Sequence, residues 1–225
     1  GSYQKLMHTK EGTAVAERLN AMGVSAFVLK YRVPLRPDAA SMPYAWAQLQ
    51  DAQRAVGLVR GRAAEWGVDP GRVAFMGFSA GGHLAAHLST AWQRRIYPAT
   101  DAYDDVSCRP DASLLIYPWH LLARDDPREE QLAPEFNVSA STPPSFIVGS
   151  SADKMADPQS WLQYFKKLRG FGVASALHVY QDGGHGFALC AASVEADYCD
   201  WPLEAERFLQ KVGVVSSSSK GGAKS

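Results

Sequence analysis

A serine at position 79 lies in a run of small residues, Gly77-Phe78-Ser79-Ala80-Gly81, directly after the apolar stretch Val73–Met76. The apolar stretch predicts a strand, and the small residues from Gly82 onward predict a helix. A serine hydroxyl is a weak nucleophile unless it stands clear of the backbone, beside a base and oxyanion donors. Glycines flanking a sharp turn permit that exposure, because a Cβ there would crowd the neighbouring chain. The pattern therefore predicts a nucleophilic Ser79 with the Ala80 N–H donating to an oxyanion; a Gly/Ser loop ending a strand is the alternative.

A base for this serine is expected at the end of a later strand. His185 lies in the glycine-flanked run Gly183–Phe187, just after a predicted strand that ends at Tyr180. The ordinary pKa of histidine suits a general base near neutral pH. A lone histidine often has a surface or capping role instead, but its position after the last strand favours the base.

Two aspartates compete to orient that histidine, and both follow the predicted strand Phe146–Gly149. Asp157 precedes Pro158, an arrangement typical of a helix N-cap, so capping explains it adequately. Asp153 lies nearer the end of the strand and is predicted to be the acid. Asp182 is too close in sequence to His185 to approach the ring from the correct side.

His83 and His87 are four residues apart on the helix after Ser79 and would share one face. A metal pair would need a third ligand, and the metalloprotease pattern would need a glutamate where Leu84 follows His83. We therefore predict no metal and no other cofactor. Trp119, at the end of a strand, and Phe78 are predicted to line the substrate pocket, with aromatic core packing an equal explanation for Trp119.

Apolar periodicity and Gly/Pro positions predict an alternation of helices and strands. The helices are expected at 13–22, 43–66, 82–92, 160–169 and 194–212, and the strands at 25–33, 73–78, 113–117, 145–149 and 174–180. A loop rich in charge and proline, 123–144, is long enough to expect a functional or capping role. The alternation predicts an α/β fold: a mostly parallel sheet with helices on both faces, which binds ligands at the carboxyl ends of its strands.

Length and composition predict one domain. The 225 residues are 46% hydrophobic, enough for one substantial core over residues 1–213. Residues 214–225, rich in Ser, Gly and Lys, are expected to be a disordered tail or an expression remnant.

Lys+Arg and Asp+Glu are both 23, so no basic field favours nucleic acid or anionic membrane. The zero net charge favours a small neutral or weakly charged substrate. No apolar stretch approaches the roughly 20 residues that span a bilayer, which predicts a soluble protein.

The three cysteines match no metal-binding spacing. Cys190 and Cys199 could pair in an oxidising compartment, and Cys108 is left over.

The run from Gly77 to Ala85 resembles the nucleophile elbow of the α/β-hydrolase superfamily. Within it, the chain is similar to the esterase/lipase branch of acetyl esterases and acetylxylan-type carbohydrate esterases, on the phrases at 27–32, 51–56, 109–111, 142–144 and 183–187. The resemblance implies Ser79 as nucleophile, His185 as base and Asp153 as acid. It also implies hydrolysis of small acyl esters, O-acetyl groups of carbohydrates among them, through an acyl-enzyme.

The chain departs from that family at its beginning. Family members carry two or three further strands and a His-Gly-Gly-Gly type loop whose backbone supplies a second oxyanion donor. Gly1-Ser2-Tyr3 resembles either the end of that loop or a cloning scar fused where the loop was cut, and on the first interpretation Ser2 is predicted to be the second donor. A family strand would lie between 25–33 and 73–78. Three arrangements are open: these segments pair directly, a partner chain such as a second copy fills the gap, or an edge stays open.

Two other functions remain in view. The chain could be a catalytically impaired binding protein that retains the fold, or an amide or formamide hydrolase like the related kynurenine formamidase group. Retention of Ser79, Asp153 and His185 favours the esterase.

Overall fold

A computed structural model describes residues 1–36, 42–126, 128, 130–191 and 193–216. In this part of the chain one sheet has four parallel strands in chain order: β1 Ala74–Phe78, β2 Ala112–Ile116, β3 Ser145–Ser150 and β4 Ser175–Tyr180. The α-helices are α1 Ala14–Ala21, α2 Trp46–Gly61, α3 Ala63–Trp66, α4 Ala80–Thr90, α5 Pro158–Gly170 and α6 Trp201–Lys211. A π-helical turn, His8–Thr13, precedes α1, and 3-10 turns occur at Ala102–Asp104 and Asp197–Asp200.

Helices cover both faces of the sheet, as predicted. The Phe146 ring of β3 lies 5.8 Å from the Phe208 ring of α6. The Ser113 hydroxyl of β2 lies 2.6 Å from the Ser89 hydroxyl of α4. Phe146 is in register with Leu114, the neighbour of Ser113, and successive side chains of a strand point to opposite faces. Therefore α6 and α4 lie on opposite sides.

Several helix bounds differ from the sequence prediction. The helix expected over 43–66 is two helices, because Arg62 between α2 and α3 leaves the helical region at φ −104°. The last helix begins at Trp201 rather than 194, with Pro202 in its first turn, where a residue without an N–H costs nothing. The helix after Ser79 begins at Ala80, two residues earlier than expected.

The predicted strand at 25–33 is wrong: these residues are not in any sheet of the described structure. None of the backbone groups of residues 25–31 makes a hydrogen bond to another described backbone group. A strand needs a neighbour to accept and donate its hydrogen bonds, and apolar alternation alone does not supply one.

A cavity of about 740 Å³ separates this segment from the outer edge of β1. We call it the β1 groove; its lining includes Met7, Phe27, Val28, Leu29, Phe75 and Val215. Val73 O accepts from Asp111 N–H and the Ser79 N–H donates to Ile116 O, so the odd-numbered residues of this strand pair with β2. The backbone groups of Ala74, Met76 and Phe78 therefore face the groove. Of the three arrangements expected, direct pairing is not found, and no strand among the described residues of this chain covers the outer edge of β1.

Hydrophobic contacts continue past residue 213. Val214 and Val215 pack against the core, and Arg72 donates to the Ser216 hydroxyl at 2.8 Å. The remainder of the predicted tail, 217–225, lies outside the described residues. None of the helices described is long and apolar enough to cross a membrane.

The structure joins Cys190 and Cys199 in a disulfide. Cys108 is a free, buried thiol whose sulfur lies 3.3 Å from the Trp92 carbonyl oxygen.

Candidate active site

Ser79 occupies a strained turn between β1 and α4, with φ 52° and ψ −117°. A Cβ on Gly77 would overlap the Gly81 carbonyl, and a Cβ on Gly82 would lie 2.8 Å from the Pro118 Cα. A Cβ on Gly81 would meet nothing within 4 Å, so the crowding predicted there occurs at Gly82 instead. The close approaches of Gly77 and Gly82 allow the turn, and strain of this kind is typical of functional sites.

Ser79, His185 and Asp153 form one hydrogen-bonded row. The Ser79 Oγ lies 2.8 Å from His185 Nε2, and His185 Nδ1 lies 2.7 Å from Asp153 Oδ2. The Asp153 side chain is fully buried and the His185 side chain is 14% exposed. Because a carboxylate can only accept, Nδ1 carries the proton, and Nε2 is left as an acceptor facing the serine.

Asp153 also has a local role that the sequence analysis missed. Its Oδ1 accepts from the backbone N–H groups of Met155 at 2.8 Å and Ala156 at 2.9 Å. These bonds fix the carboxylate so that Oδ2 faces the imidazole. Asp157 caps α5, as the sequence indicated, by accepting from Gln159 N–H at 2.8 Å. Asp182 is exposed.

The two predicted oxyanion donors lie on different elements. Ala80 is the first residue of α4 and is 1% exposed. Its N–H has no acceptor within the helix, because the first turn of a helix leaves its N–H groups free. Ser2 lies in a turn closed by the Gln4 N–H on Gly1 O at 3.0 Å, and its φ is 55°.

Tyr3 joins that turn to α4, the helix that follows Ser79, through a hydrogen bond. Its side chain is fully buried, and its hydroxyl lies 2.8 Å from His83 Nδ1. The His83 N–H in turn donates to Ser79 O at 3.0 Å. The Ser2 turn and the start of α4 are therefore linked through one buried hydrogen bond.

His83 and His87 pack as buried aromatic residues. Their ring centroids lie 5.0 and 6.1 Å from that of Phe136. Burial lowers the pKa of His83 and lowers the pKa of His87 to about 3. His83 Nε2 lies 3.5 Å from Glu135 Oε1. Over the described ranges, no group of three or more potential ligands has a geometry that would hold a metal ion.

The two aromatic residues predicted to contact substrate differ in position. Trp119 is half-buried beside the site, and its backbone N–H donates to Ser79 O at 3.1 Å. Phe78 instead packs into the core, 8% exposed, with its ring 5.8 Å from Tyr117 and 5.9 Å from Trp201. Strand alternation explains this position, because the residue before Ser79 points to the face that α6 covers.

Sequence reasoning also missed Tyr3 and Tyr117 as parts of the site. Tyr3 bonds a residue 80 positions away, and Tyr117 accepts a backbone N–H from 71 positions away. A tyrosine in or beside an apolar run carries no local signal of such a partner.

A sequence model of the α/β-hydrolase fold matches residues 38–189. The chain belongs to this family. Over 207 residues this α/β hydrolase is 28% identical to an acetylxylan esterase of Xylanibacter ruminicola, covering 83% of the chain and 39% of that protein. It is also 28% identical over 194 residues to endo-1,4-beta-xylanase B of Butyrivibrio fibrisolvens, covering 80% of the chain and 30% of that protein. The chain thus spans less than half the length of both relatives.

Solved structures of α/β hydrolases are also similar. An acetyl ester-xyloside bifunctional hydrolase from Caldicellulosiruptor lactoaceticus superposes with a TM-score of 0.79 at 32% identity, covering 96% of this chain and 81% of that one. A thermophilic esterase from Thermogutta terrifontis gives a TM-score of 0.81 at 23% identity, covering 98% and 81%. At that lower identity, the second likeness bears on the fold alone.

Proposed function

We propose that this α/β hydrolase is a serine esterase that hydrolyses small acyl esters, with O-acetyl groups of carbohydrates as the substrate class. The observation that carries the proposal is the row of Ser79 Oγ, His185 and Asp153, with successive distances of 2.8 and 2.7 Å. In this proposal Ser79 is the nucleophile, His185 the general base and Asp153 the acid that orients the imidazole.

Acylation follows from the direction of those hydrogen bonds. As the Ser79 Oγ attacks the ester carbonyl, His185 Nε2 takes the hydroxyl proton, and Asp153 stabilises the resulting imidazolium. The imidazolium then gives that proton to the departing alcohol oxygen, the C–O bond breaks, and an acyl-Ser79 remains. Nε2 then takes a proton from a water molecule as the water oxygen bonds to the acyl carbon. The bond from that carbon to Oγ breaks, the imidazolium returns its proton to Oγ, and the carboxylic acid leaves.

The negative oxygen of each tetrahedral intermediate needs donors. The Ala80 N–H, at the start of α4, is the first donor in this proposal, and the Ser2 N–H is the second. Removing one such donor typically costs about 10² to 10³ in turnover. The Tyr3 to His83 bond supports a fixed position for the Ser2 turn relative to α4.

The names of the relatives support the substrate class. Two proteins at 28% and 32% identity are called an acetylxylan esterase and an acetyl ester-xyloside hydrolase. An O-acetyl group is small, which fits a site with Ala80 and glycines around the serine. Trp119, half-buried beside Ser79 with its ring centroid 4.2 Å from that of His120, lines the sugar pocket in this proposal.

The experiment is labelling with a fluorophosphonate probe, read by peptide mass spectrometry, together with hydrolysis of p-nitrophenyl acetate and of acetylated xylan. We expect one adduct, at Ser79, and acetate release from both esters. Ser79→Ala should remove the adduct and lower kcat by about 10⁴ or more. The matched control is Ser89→Ala. Ser89 is a buried serine near the end of α4, away from Ser79, and its hydroxyl forms a hydrogen bond with that of Ser113 on β2.

Each outcome separates the candidate functions. An absent adduct at Ser79 in folded protein would overturn the proposal and favour a binding protein. An adduct with cleavage of an aryl formamide but of neither ester would place the chain among amide hydrolases.

A further inference from the structure

The loop that carries His185 lies between β4 and the 3-10 turn at Asp197–Asp200, and residues 181–189 contain no helix or strand. Positive φ angles recur in it, at Gly183, Gly184, Gly186 and Ala188. Side chains of other elements provide much of its hydrogen bonding: Ser150 Oγ accepts from Gly184 N–H at 3.2 Å, Lys10 Nζ donates to Gly186 O at 2.7 Å, Trp201 Nε1 donates to Ala188 O at 2.7 Å, and the Tyr117 hydroxyl accepts from Ala188 N–H at 3.1 Å.

Among these side chains, Tyr117 also touches the imidazole. The centroid of its ring lies 5.1 Å from that of His185, with the rings inclined at 64° in an edge-on arrangement. The same ring contacts Phe187 at 4.7 Å and Phe78, the residue before Ser79, at 5.8 Å. One fully buried side chain therefore packs against the loop of the base and against the strand of the nucleophile.

The hydroxyl of Tyr117 has a defined direction. It donates to Glu11 Oε1 at 3.0 Å, because an ionised carboxylate can only accept. Its lone pair is then available to the Ala188 N–H. Burial, reinforced by Glu11, raises the pKa of Tyr117, so the phenol keeps the proton that it donates. Ala188 is fully buried, so without Tyr117 its N–H would lose a partner that water cannot replace.

The backbone at Tyr117 also fixes the position of its side chain. Its φ of 38° is unusual for a bulky residue, and its N–H donates to Val148 O at 2.6 Å. Tyr117 is thus held by its backbone at the end of β2 and by its hydroxyl at the π-helical turn. A side chain fixed at both ends gives a rigid packing surface for the 181–189 loop, which contains no helix or strand.

From these contacts we infer that Tyr117 is a positioning residue for His185: its ring supports the imidazole, and its hydroxyl, oriented by Glu11, holds the loop through Ala188. The inference rests on the proposed function, in which His185 is the base. Misplacing a reacting group by about 1 Å can cost roughly 10²-fold in rate, so the effect should appear in kcat.

The test compares Tyr117→Phe with Tyr164→Phe. Tyr164 is the matched control, because it is also fully buried and its hydroxyl has no hydrogen-bond partner in the described structure. With p-nitrophenyl acetate, we expect Tyr117→Phe to lower kcat about tenfold to a hundredfold with KM within about twofold, and Tyr164→Phe to leave both within about twofold.

A spectroscopic readout separates this inference from the proposed function. The His185 Nδ1 proton, bonded to Asp153 at 2.7 Å, should give a far-downfield proton NMR signal in the wild-type protein. Tyr117→Phe should shift or broaden that signal, and Tyr164→Phe should not. If the wild-type protein is inactive but the signal responds in this way, the positioning role stands while the proposed function fails.

A second pair of variants, at Glu11, tests the inference even if Tyr117→Phe does not fold. Glu11→Ala removes the acceptor of the Tyr117 hydroxyl from a half-buried position, whereas Glu11→Gln keeps an acceptor oxygen. We expect a lower kcat in the alanine variant and substantial recovery in the glutamine variant. The inference is overturned if Tyr117→Phe has the same kinetics and the same NMR signal as Tyr164→Phe. If Tyr117→Phe does not fold, the inference is overturned when Glu11→Ala and Glu11→Gln have the same kcat.

Discussion

Gly77 and Gly81 approach each other so closely that a Cβ on Gly77 would overlap the Gly81 carbonyl oxygen. The strand before Ser79 and the helix after it are therefore in backbone contact. This contact lets the chain reverse within the few residues that present the serine.

The first prediction concerns this contact. Gly77→Ala should lower the free energy of unfolding by at least about 3 kcal/mol, because backbone rather than a flexible side chain must move. Gly81→Ala is the control: its Cβ has free space, and alanine in a helix is favoured over glycine by up to about 1 kcal/mol. Urea unfolding measures both variants. Equal stability of the two would contradict the close approach.

The second prediction assigns different roles to two aspartates. Asp153→Asn should lower kcat by roughly 10⁴, because an amide can donate to Nδ1 and leave the proton on Nε2, where it blocks the serine. Asp157→Asn should leave kcat unchanged and stability within a few tenths of a kcal/mol, since Asn and Asp are equally good N-caps. Steady-state kinetics on p-nitrophenyl acetate distinguish the two, and a comparable loss in both variants would refute the assignment.

The third prediction is a pH dependence of stability caused by His87. Its pKa is lowered to about 3 in the folded protein, against an unfolded value of about 6.5. The unfolded state therefore binds the proton first as pH falls. The free energy of unfolding should be unaffected above about pH 6.5 and should fall by up to about 1.4 kcal/mol per pH unit between about 6.5 and 3.

The variant His87→Phe isolates this effect. It retains a ring against Phe136 and removes the titrating group, so its stability should fall less steeply than that of the wild-type protein by one proton. Over the two pH units below 6.5 the difference should reach about 2 to 3 kcal/mol. Denaturant unfolding at several pH values measures the slopes, and identical slopes would show that His87 is not buried in its neutral form.

The fourth prediction concerns the disulfide between Cys190 and Cys199, which are 9 residues apart. Closing a loop of this size restricts the unfolded chain by about 2 to 3 kcal/mol. Replacing both cysteines with serine should lower the free energy of unfolding by that amount, and a reductant should destabilise the wild-type protein but not the variant. Insensitivity of the wild-type protein to reductant would contradict the bond.

Local patterns were sufficient to predict the fold class. The strand expected over 73–78 is β1, Ala74–Phe78, and the strand expected over 174–180 is β4, Ser175–Tyr180. These bounds could be predicted because glycine or proline residues near the ends of both segments mark them in the sequence. The segment 25–33 has an equally strong apolar pattern and yet forms no strand. Sequence periodicity reports which residues suit a sheet, whereas sheet formation also requires a neighbouring edge.

The candidate site was predictable where chain order constrained it. Strand ends in a parallel sheet lie at one edge, which is why Asp153 and His185 could be selected before their distances to each other and to Ser79 were known. The local bonds of Asp153 and the contacts of Tyr117 could not be found in this way, since they depend on loop conformations. The catalytic roles of the three residues stay predictions until the labelling experiment is done.

The β1 groove leaves large apolar side chains in water in the folded protein, with Phe27 49% and Val28 41% exposed. These half-exposed side chains add less to the apolar area that becomes hydrated on unfolding than fully buried ones would. Because that newly hydrated area sets the heat capacity of unfolding, each of these side chains contributes less to that heat capacity than a fully buried side chain of the same type.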